Sequence, residues 1–287
     1  MNKIRIGLMG FGRIGRQLYQ LARADEQIEM VAICDIGQPD ILHHIYAQTM
    51  SDGDDVTLDG NYLVCDKTRT RLMPADRPSE IPWDVFGVDM VIEATGRFRT
   101  SADLEPHLGN GAHRVVMANL PSESIDRVVL YGVNESTAQV ADRIVSAGSA
   151  STTAMGLALK IMSAGHDIEH ASLTSVHAYT SDQSLQDYAG ADYRRSRSGA
   201  KNIIPNNTPA PYWVGRAIPA LADRLSGYTL NVPVQTGSML DLTFALKGDP
   251  GDIEQINDIY REAALQQPNL VQVTDDPIVS SDVRGCD

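Results

Sequence analysis

The sequence predicts two domains, first an α/β domain with a parallel sheet and then an α+β domain with a mostly antiparallel sheet. In the first half, the strand candidates are short and almost continuously apolar, as parallel strands are when both faces of the sheet are covered. In the second half, two segments alternate between apolar and polar residues, which is typical of strands with one covered face. We therefore expect domains at residues 1–149 and 150–287.

The first domain begins with a predicted crossover unit. Ile4 to Met9 and Met30 to Cys34 have strand composition, and the segment between them places its apolar residues on one face of a helix. Strand, helix and strand over about 30 residues form one parallel unit. The later strand candidates of this half are Met90 to Ala94, Arg114 to Met117, Val128 to Tyr131 and Ile144 to Ser146.

The second domain combines helices with alternating strands. A helix is predicted for Ser151 to Met162, followed by a strand at Leu173 to His177 and a polar segment, residues 178–202, without periodicity. The alternating strands are Tyr228 to Val234 and Leu240 to Leu246, and a last helix runs from Ile253 to Ala263.

Composition and charge exclude several classes of protein. The formal charge of -13 and the pI near 4.9 exclude a general nucleic-acid binder, which needs a basic face. No apolar run has the length of a bilayer span, and the N-terminus enters a strand without a signal core, so we expect no membrane partner and a cytoplasmic protein. The cysteines Cys34, Cys65 and Cys286 are few, odd in number and widely spaced, which argues against disulfides and against a metal site.

A glycine-rich turn between the first strand and its helix predicts a nucleotide site. Its residues are Gly10, Phe11, Gly12, Arg13, Ile14 and Gly15, and Asp35 ends the next strand 20 residues after Gly15. In this context the pattern is the dinucleotide fingerprint of a Rossmann-type domain, with the pyrophosphate at the helix N-terminus. Asp35 is expected to accept both ribose hydroxyls and to repel a 2′-phosphate, so the predicted cofactor is NAD.

Seven segments, spread in order over almost the whole chain, carry a resemblance to a known family. They are GLMGFGRIGR (7–16), VAICDI (31–36), EATGRF (93–98), YGVN (131–134), SVHAYT (175–180), SGAKNIIPNNT (198–208) and DLTF (241–244). Together they resemble the phosphorylating glyceraldehyde-3-phosphate dehydrogenases of glycolysis. The resemblance implies a homotetramer, and it places Arg77, Thr95 and Gly96 near the adenosine half of NAD. Family members continue with a further strand and helix after the segment IVSSDVRGCD (278–287), and we expect those elements to be absent here.

The family's catalytic thiol is missing from this sequence. The resemblance implies a cysteine 27 residues before His177, and that position is Ala150, an alignment that Lys160 supports by keeping its family distance. A slip of one residue would put Ser151 there, and neither residue has sulfur. His177 would activate the thiol and then act as general acid and base. The chain as written is therefore expected not to complete the reaction.

Hydroxyls and one arginine fall where the family binds substrate and inorganic phosphate. These are Ser149, Ser151, Thr180 and Thr208, with Arg197 in a basic stretch that is equally well explained as a solvated or subunit-contact loop. Two positions depart from the family, because Asn231 stands in place of an arginine and Pro209 in place of a glycine. Losing a guanidinium and a backbone donor predicts weakened or rebuilt phosphate sites.

Three functional hypotheses remain open. The first is a NAD-dependent dehydrogenase that converts a small phosphorylated aldehyde and inorganic phosphate into an acyl phosphate, here in an inactive form. The second is a non-catalytic NAD-binding protein with a regulatory or assembly role, and the third is a dehydrogenase for another phosphorylated aldehyde. Whether Ala150 was introduced to trap a ligand or is a natural variant also stays open.

Overall fold

A computed structural model describes residues 3–51, 55–66, 68–283 and 285. These residues form two compact units. The first contains the chain up to Val129 together with Ser136–Gly148, and the second contains Leu130–Glu135 and the chain from Ser149 onward. Cys286, one of the three cysteines considered above, lies outside the described residues. Cys34 and Cys65 are both buried and free.

The first unit is built on a nine-stranded sheet in the order β3-β4-β5-β2-β1-β6-β7-β9-β8. Its strands are β1 (Ile4–Met9), β2 (Ile28–Asp35), β3 (Thr57–Asp59), β4 (Tyr62–Cys65), β5 (Thr68–Pro74), β6 (Met90–Glu93), β7 (Arg114–Met117), β8 (Arg127–Val128) and β9 (Ile144–Ser146). All pairings are parallel except those of β4 with β3 and β5. The strand order reverses at β1, whose neighbours are β2 on one side and β6 on the other. The carboxyl ends of such strands are where ligands of doubly wound sheets bind.

The helices of this unit are α1 (Arg13–Ala24), α2 (Pro39–Thr49) and α3 (Ser101–Gly109). Helix α1 buries Gly15, Tyr19 and Ala22 on one face. The positive charge of Arg23 in its last turn interacts favourably with the negative end of the helix dipole. The ring of Tyr19 meets those of Phe11 and Tyr46 edge-on, and the latter two rings stack at 5.8 Å. This aromatic cluster joins α1 and α2 to the sheet and supports the turn that follows β1.

The second unit contains a four-stranded mixed sheet in the order β11-β12-β10-β13. Its strands are β10 (Ile168–Ala178), β11 (Ile204–Asn206), β12 (Leu225–Val232) and β13 (Ser238–Leu246), and its helices are α4 (Ala150–Gly165), α5 (Ala210–Ala217) and α6 (Ile253–Gln266). Helix α4 packs against α5, α6 and the sheet. None of the helices in the described residues is long and apolar enough to span a bilayer.

The predicted fold class is confirmed, with one difference in strand pairing. β12 runs parallel to β10, whereas β13 and β11 pair antiparallel with their neighbours. The reason is the long connection from β10 to β12, which includes α5 and allows the chain to return in the same direction. The sequence had no clear pattern for α2, α3, α5 and the β3–β5 segment, and those elements were not predicted.

Candidate functional site

The glycine turn after β1 is closed on two sides and open on the third. Gly10 has φ +96°, and a Cβ there would lie 2.7 Å from the backbone of Ala94 and Thr95. A Cβ on Gly15 would lie 2.0 Å from the carbonyl oxygen of Gly10, so the helix can pack this closely only without a side chain. A Cβ on Gly12 would meet nothing within 4 Å. The open side at Gly12 therefore leaves room for a ligand to approach the backbone.

The first turn of α1 has backbone N–H groups without intrahelical acceptors. Gly12 is its N-cap and has no side chain with which to cap the helix. The first four N–H groups of a helix lack intrahelical acceptors and carry the positive end of the dipole. This turn can therefore hold a phosphate or pyrophosphate.

The carboxylate of Asp35 is fixed beside this turn by two backbone amides. Phe11 N donates to Oδ2 at 2.7 Å, and Gly37 N donates to Oδ1 at 2.9 Å. Each carboxylate oxygen keeps a further lone pair. A pair of ribose hydroxyls is the kind of donor that such a preoriented carboxylate binds.

A cleft of about 200 Å³ opens at the carboxyl ends of β1, β2 and β6. Its lining residues are Met9, Gly10, Gly12, Cys34, Asp35, Ile36, Ala75, Asp76, Ala94, Thr95 and Arg97. At its rim, Arg97 Nη1 and Asp76 Oδ1 are 2.5 Å apart, and this hydrogen bond raises the pKa of Arg97. The glycine cradle, the free helix N-terminus and the Asp35 carboxylate fit the pyrophosphate and adenosine ribose of a dinucleotide.

The other predicted cofactor residues differ in what they contribute. Phe11 offers its backbone amide, but its ring is 1% exposed and belongs to the core. Arg13 and Ile14 lie in the first turn of α1 and are exposed. Gly96 has φ +74°, a backbone conformation that favours glycine at this position as well. Arg77 follows Asp76, whose pKa it helps to lower after the larger effect of Arg97.

In the second unit, α4 begins at Ala150, the position predicted for the nucleophile. Ala150 is exposed in the described chain and is the first helical residue. Ser149 caps the helix, because its Oγ accepts from Thr152 N at 3.3 Å and lies 2.8 Å from Thr152 Oγ1. Ser151 is the next residue of the helix and is half-buried. The helix N-terminus would favour a thiolate, but the residue there has only a methyl group.

His177 and Asn231 lie side by side on neighbouring strands of the same sheet. They are register partners near the ends of β10 and β12. His177 Nδ1 is 2.6 Å from the carbonyl oxygen of Ala178 and must donate to it, so Nε2 of the neutral ring carries the lone pair. Asn231 is 5% exposed, and its Oδ1 has no hydrogen-bond partner among the described residues. This pair can accept and donate hydrogen bonds, but it brings no fixed positive charge.

The hydroxyl of Thr180 is committed to a carboxylate. Thr180 Oγ1 donates to Asp182, which also forms an ion pair with Arg195. Burial alone would raise the pKa of Asp182, but the bond from Thr180 and the charge of Arg195 hold that pKa below its usual range. A hydroxyl already donating to an anion offers a phosphate less than a free one does. Sequence reasoning missed Asp182, although it lies two residues after Thr180.

The remaining predicted phosphate ligands have partners inside their own segments. Arg197 Nε donates to Asp187 at 2.9 Å, with both side chains largely exposed. Thr208 Oγ1 accepts from Ala210 N at 3.2 Å, and Pro209 is the N-cap of α5. Nothing in the described residues groups three or more His, Cys, Asp or Glu side chains as metal ligands.

Comparison with known proteins assigns both units to the same kind of enzyme. Residues 4–101 match the family profile described as glyceraldehyde 3-phosphate dehydrogenase, NAD binding domain, and residues 149–287 match the C-terminal domain of the same enzyme. The chain is 37% identical to a glyceraldehyde-3-phosphate dehydrogenase of Kitasatospora aureofaciens over 98% of its length and 86% of the relative. It is 36% identical to the enzyme of Mycobacterium avium, over 98% and 85% of the two chains.

Proposed function

The chain belongs to the glyceraldehyde-3-phosphate dehydrogenase family, and we propose that this form binds NAD and an aldehyde phosphate without completing the oxidation. NAD is the cofactor of the family's N-terminal domain. When bound, NAD supplies the hydride acceptor. The first unit would hold its pyrophosphate at Gly12 and the first turn of α1, and its adenosine ribose at Asp35.

One observation carries the cofactor assignment. The Asp35 carboxylate is hydrogen-bonded to Phe11 N, so the ribose acceptor and the phosphate-binding turn form one rigid unit. A glycine turn with a purely structural role would not need the Asp35 carboxylate 2.7 Å from the backbone N of Phe11, beside the open space at Gly12. Isothermal titration calorimetry with NAD tests this directly, and Gly12→Ala is the matched variant that should lose the binding.

The missing thiol sets what the second unit can do. The reaction needs a thiolate that adds to the aldehyde to form a hemithioacetal, which becomes a thioester once a hydride has been removed. Inorganic phosphate then takes the acyl group and releases the thiolate. Ala150 at the start of α4 has no nucleophilic atom, and an ester formed on Ser151 would release its acyl group poorly. His177 keeps a lone pair on Nε2 and can still accept a proton from a substrate hydroxyl. We therefore expect binding without turnover.

Restoring the thiol separates the hypotheses. Ala150→Cys should produce NADH from glyceraldehyde 3-phosphate, inorganic phosphate and NAD, while Ala150→Ser should not. Ser151→Cys tests the alternative alignment in the same assay. An Ala150→Cys protein that binds NAD but gives no NADH with any of a panel of phosphorylated aldehydes would contradict the dehydrogenase hypothesis.

A non-catalytic NAD-binding role is the second candidate, and it rests on the phosphate site. Asn231 brings no guanidinium, Pro209 has no N–H, and the hydroxyl of Thr180 is bound to Asp182. Adding Asn231→Arg to Ala150→Cys should lower KM for the phosphorylated aldehyde by about tenfold to a hundredfold, as a charge-assisted bidentate contact would. Unphosphorylated glyceraldehyde is the matched control, because its KM should not change. An unchanged KM for both aldehydes would show that position 231 makes no phosphate contact, whereas no turnover with either aldehyde would favour the non-catalytic role.

The same proposal includes a homotetramer, which the family resemblance implies, and a cytoplasmic location, which is the expectation from the sequence. Light scattering coupled to size exclusion would measure the assembly mass. A subunit mass of 31.2 kDa makes a tetramer easy to distinguish from a dimer.

A further inference from the structure

A buried chain of polar contacts runs behind the cofactor cleft of the first unit. Trp83, His107 and Glu93 are each 0% exposed. Trp83 Nε1 donates to His107 Nδ1 at 2.9 Å, and His107 Nε2 faces Glu93 Oε2 at 3.6 Å. Neither His107 Nε2 nor Glu93 Oε2 has a hydrogen-bond partner elsewhere among the described residues. A carboxylate this deeply buried needs a reason beyond core packing.

The direction of each contact is fixed by chemistry. An indole N–H can only donate, so His107 Nδ1 accepts and the proton of the ring lies on Nε2. His107 therefore presents a donor to Glu93. On its other side, Glu93 Oε1 accepts from Thr95 N at 2.7 Å and from Thr95 Oγ1. Both oxygens of Glu93 thus face donors.

On the cleft side, this series of polar contacts ends at Thr95. Thr95 lies on the cleft wall, and its backbone N is 2.7 Å from where a Cβ of Gly10 would stand. The hydroxyl proton of Thr95 is committed to Glu93, while its oxygen accepts from Arg97 N at 3.1 Å. One lone pair of that oxygen remains for a ligand. Thr95 therefore acts toward the cleft as a hydrogen-bond acceptor.

We propose that Glu93 is a positioning residue for NAD, held from behind by His107 and Trp83, and that it fixes Thr95 as an acceptor against the adenosine half of the cofactor. This inference rests on the proposed cofactor site. Glu93 itself does not line the cleft, so it acts through Thr95 and the turn that continues to Arg97. Only a carboxylate presents an acceptor oxygen to the donors on both sides at once.

Glu93→Gln is the informative substitution because it preserves shape. If the amide oxygen of the glutamine faces Thr95, its NH2 group faces the Nε2–H of His107. If the amide is flipped, its NH2 group faces the backbone N–H of Thr95. In either orientation, two hydrogen-bond donors face each other. His107 cannot relieve this by moving its proton to Nδ1, because the indole N–H of Trp83 already donates to that nitrogen.

Calorimetric titration of the full chain with NAD and with ADP-ribose provides the test. Glu93→Gln should weaken binding of both ligands by about tenfold, the cost of one misplaced polar contact. Asp142→Asn is the matched control, because Asp142 is also a buried carboxylate of this unit and accepts from Arg127 Nε at 2.6 Å. Asp142 lies at the amino end of β9, whereas the cleft lies at the carboxyl ends of the parallel strands. The variant should therefore bind NAD as the wild type does.

A double variant that changes the hydrogen bonding of His107 should regain NAD affinity, which a general loss of stability would not produce. Trp83→Phe frees the His107 ring to place its proton on Nδ1 and to accept from Gln at position 93. The double variant with Glu93→Gln should therefore bind NAD more tightly than Glu93→Gln alone, although it has lost one more native contact. If Glu93→Gln does not fold, Trp83→Phe alone should weaken NAD binding by about threefold.

Two results would overturn the positioning role. One is wild-type affinity in Glu93→Gln, or in Trp83→Phe where that variant alone is measured. The other is an equal loss of affinity in Asp142→Asn, which would make the effect one of general stability. A wild-type chain that takes up no NAD would instead refute the proposed function, and the positioning role would fall with it.

Discussion

Replacing Gly15 by alanine tests whether close packing of α1 against the glycine turn holds the cofactor site together. A Cβ at this position would lie 2.0 Å from Gly10 O and 3.0 Å from Gly10 C. The helix must move about 1 Å away from the turn, because Cβ contacts under 3.0 Å are not tolerated. Overpacking of this kind costs about 2–3 kcal/mol, against a helix-propensity gain of about 0.5–1 kcal/mol for alanine over glycine.

We therefore expect Gly15→Ala to lower the Tm of the first unit by about 3–8 °C and to weaken NAD binding. Scanning calorimetry with and without NAD measures both effects, since saturating ligand stabilises the wild type by about 2.7 kcal/mol at 100 times Kd. Gly12→Ala is the contrasting variant. Its Cβ meets nothing within 4 Å, so the apo Tm should stay unchanged while the NAD-dependent rise disappears. A Gly15→Ala protein with wild-type Tm and NAD response would refute the packing argument.

Three further predictions concern other sites. Asp35→Asn turns an amide NH2 group toward one of the two backbone donors, so NAD affinity should fall about tenfold while that for NADP falls less, as paired calorimetric titrations would show. The pKa of Asp182 is lowered from its ordinary value of 3.8, so the stabilisation from its ionised form is complete above that value and is lost as the pH falls through the lower pKa of the folded state. Asp182→Asn should therefore flatten the decline of Tm at acid pH, below about pH 4. Lys160 Nζ donates to the carbonyl oxygens of Gly132 and Val133 at 2.7 and 3.2 Å, so Lys160→Met should cost the second unit about 1–2 kcal/mol in denaturant unfolding.

The sequence predicted the first strand, helix and strand of this unit well because the information there is local. A strand, a glycine turn and a helix follow one another directly, and the spacing to Asp35 equals one crossover. Local propensity, hydrophobic period and turn chemistry all agree at this place. The bounds of β1, β7 and β9 were also predicted to the residue.

The polar chain behind the cleft could not be predicted in this way. Trp83 and His107 are 24 residues apart, and Glu93 lies between them in sequence without any spacing that marks a contact. Their meeting depends on how α3 packs on the sheet, which is a tertiary property. Similarly, the bond from Thr180 to Asp182 depends on a loop without periodicity. Only the short distance in sequence between these two residues could have drawn attention to it.

The departures from the family fall unevenly on the two units. In the second unit, the family resemblance places Ala150 at the thiol position, Asn231 at the guanidinium position and Pro209 at the position of a glycine amide. In the first unit, the glycine turn and Asp35 match the predicted dinucleotide fingerprint, and Phe11 N donates to Asp35 at 2.7 Å. A substitution introduced only to trap a substrate would change one residue and leave the phosphate ligands intact. Because the predicted losses at 150, 209 and 231 affect nucleophile and phosphate contacts alike, they favour a natural variant over a single substitution introduced to trap a ligand.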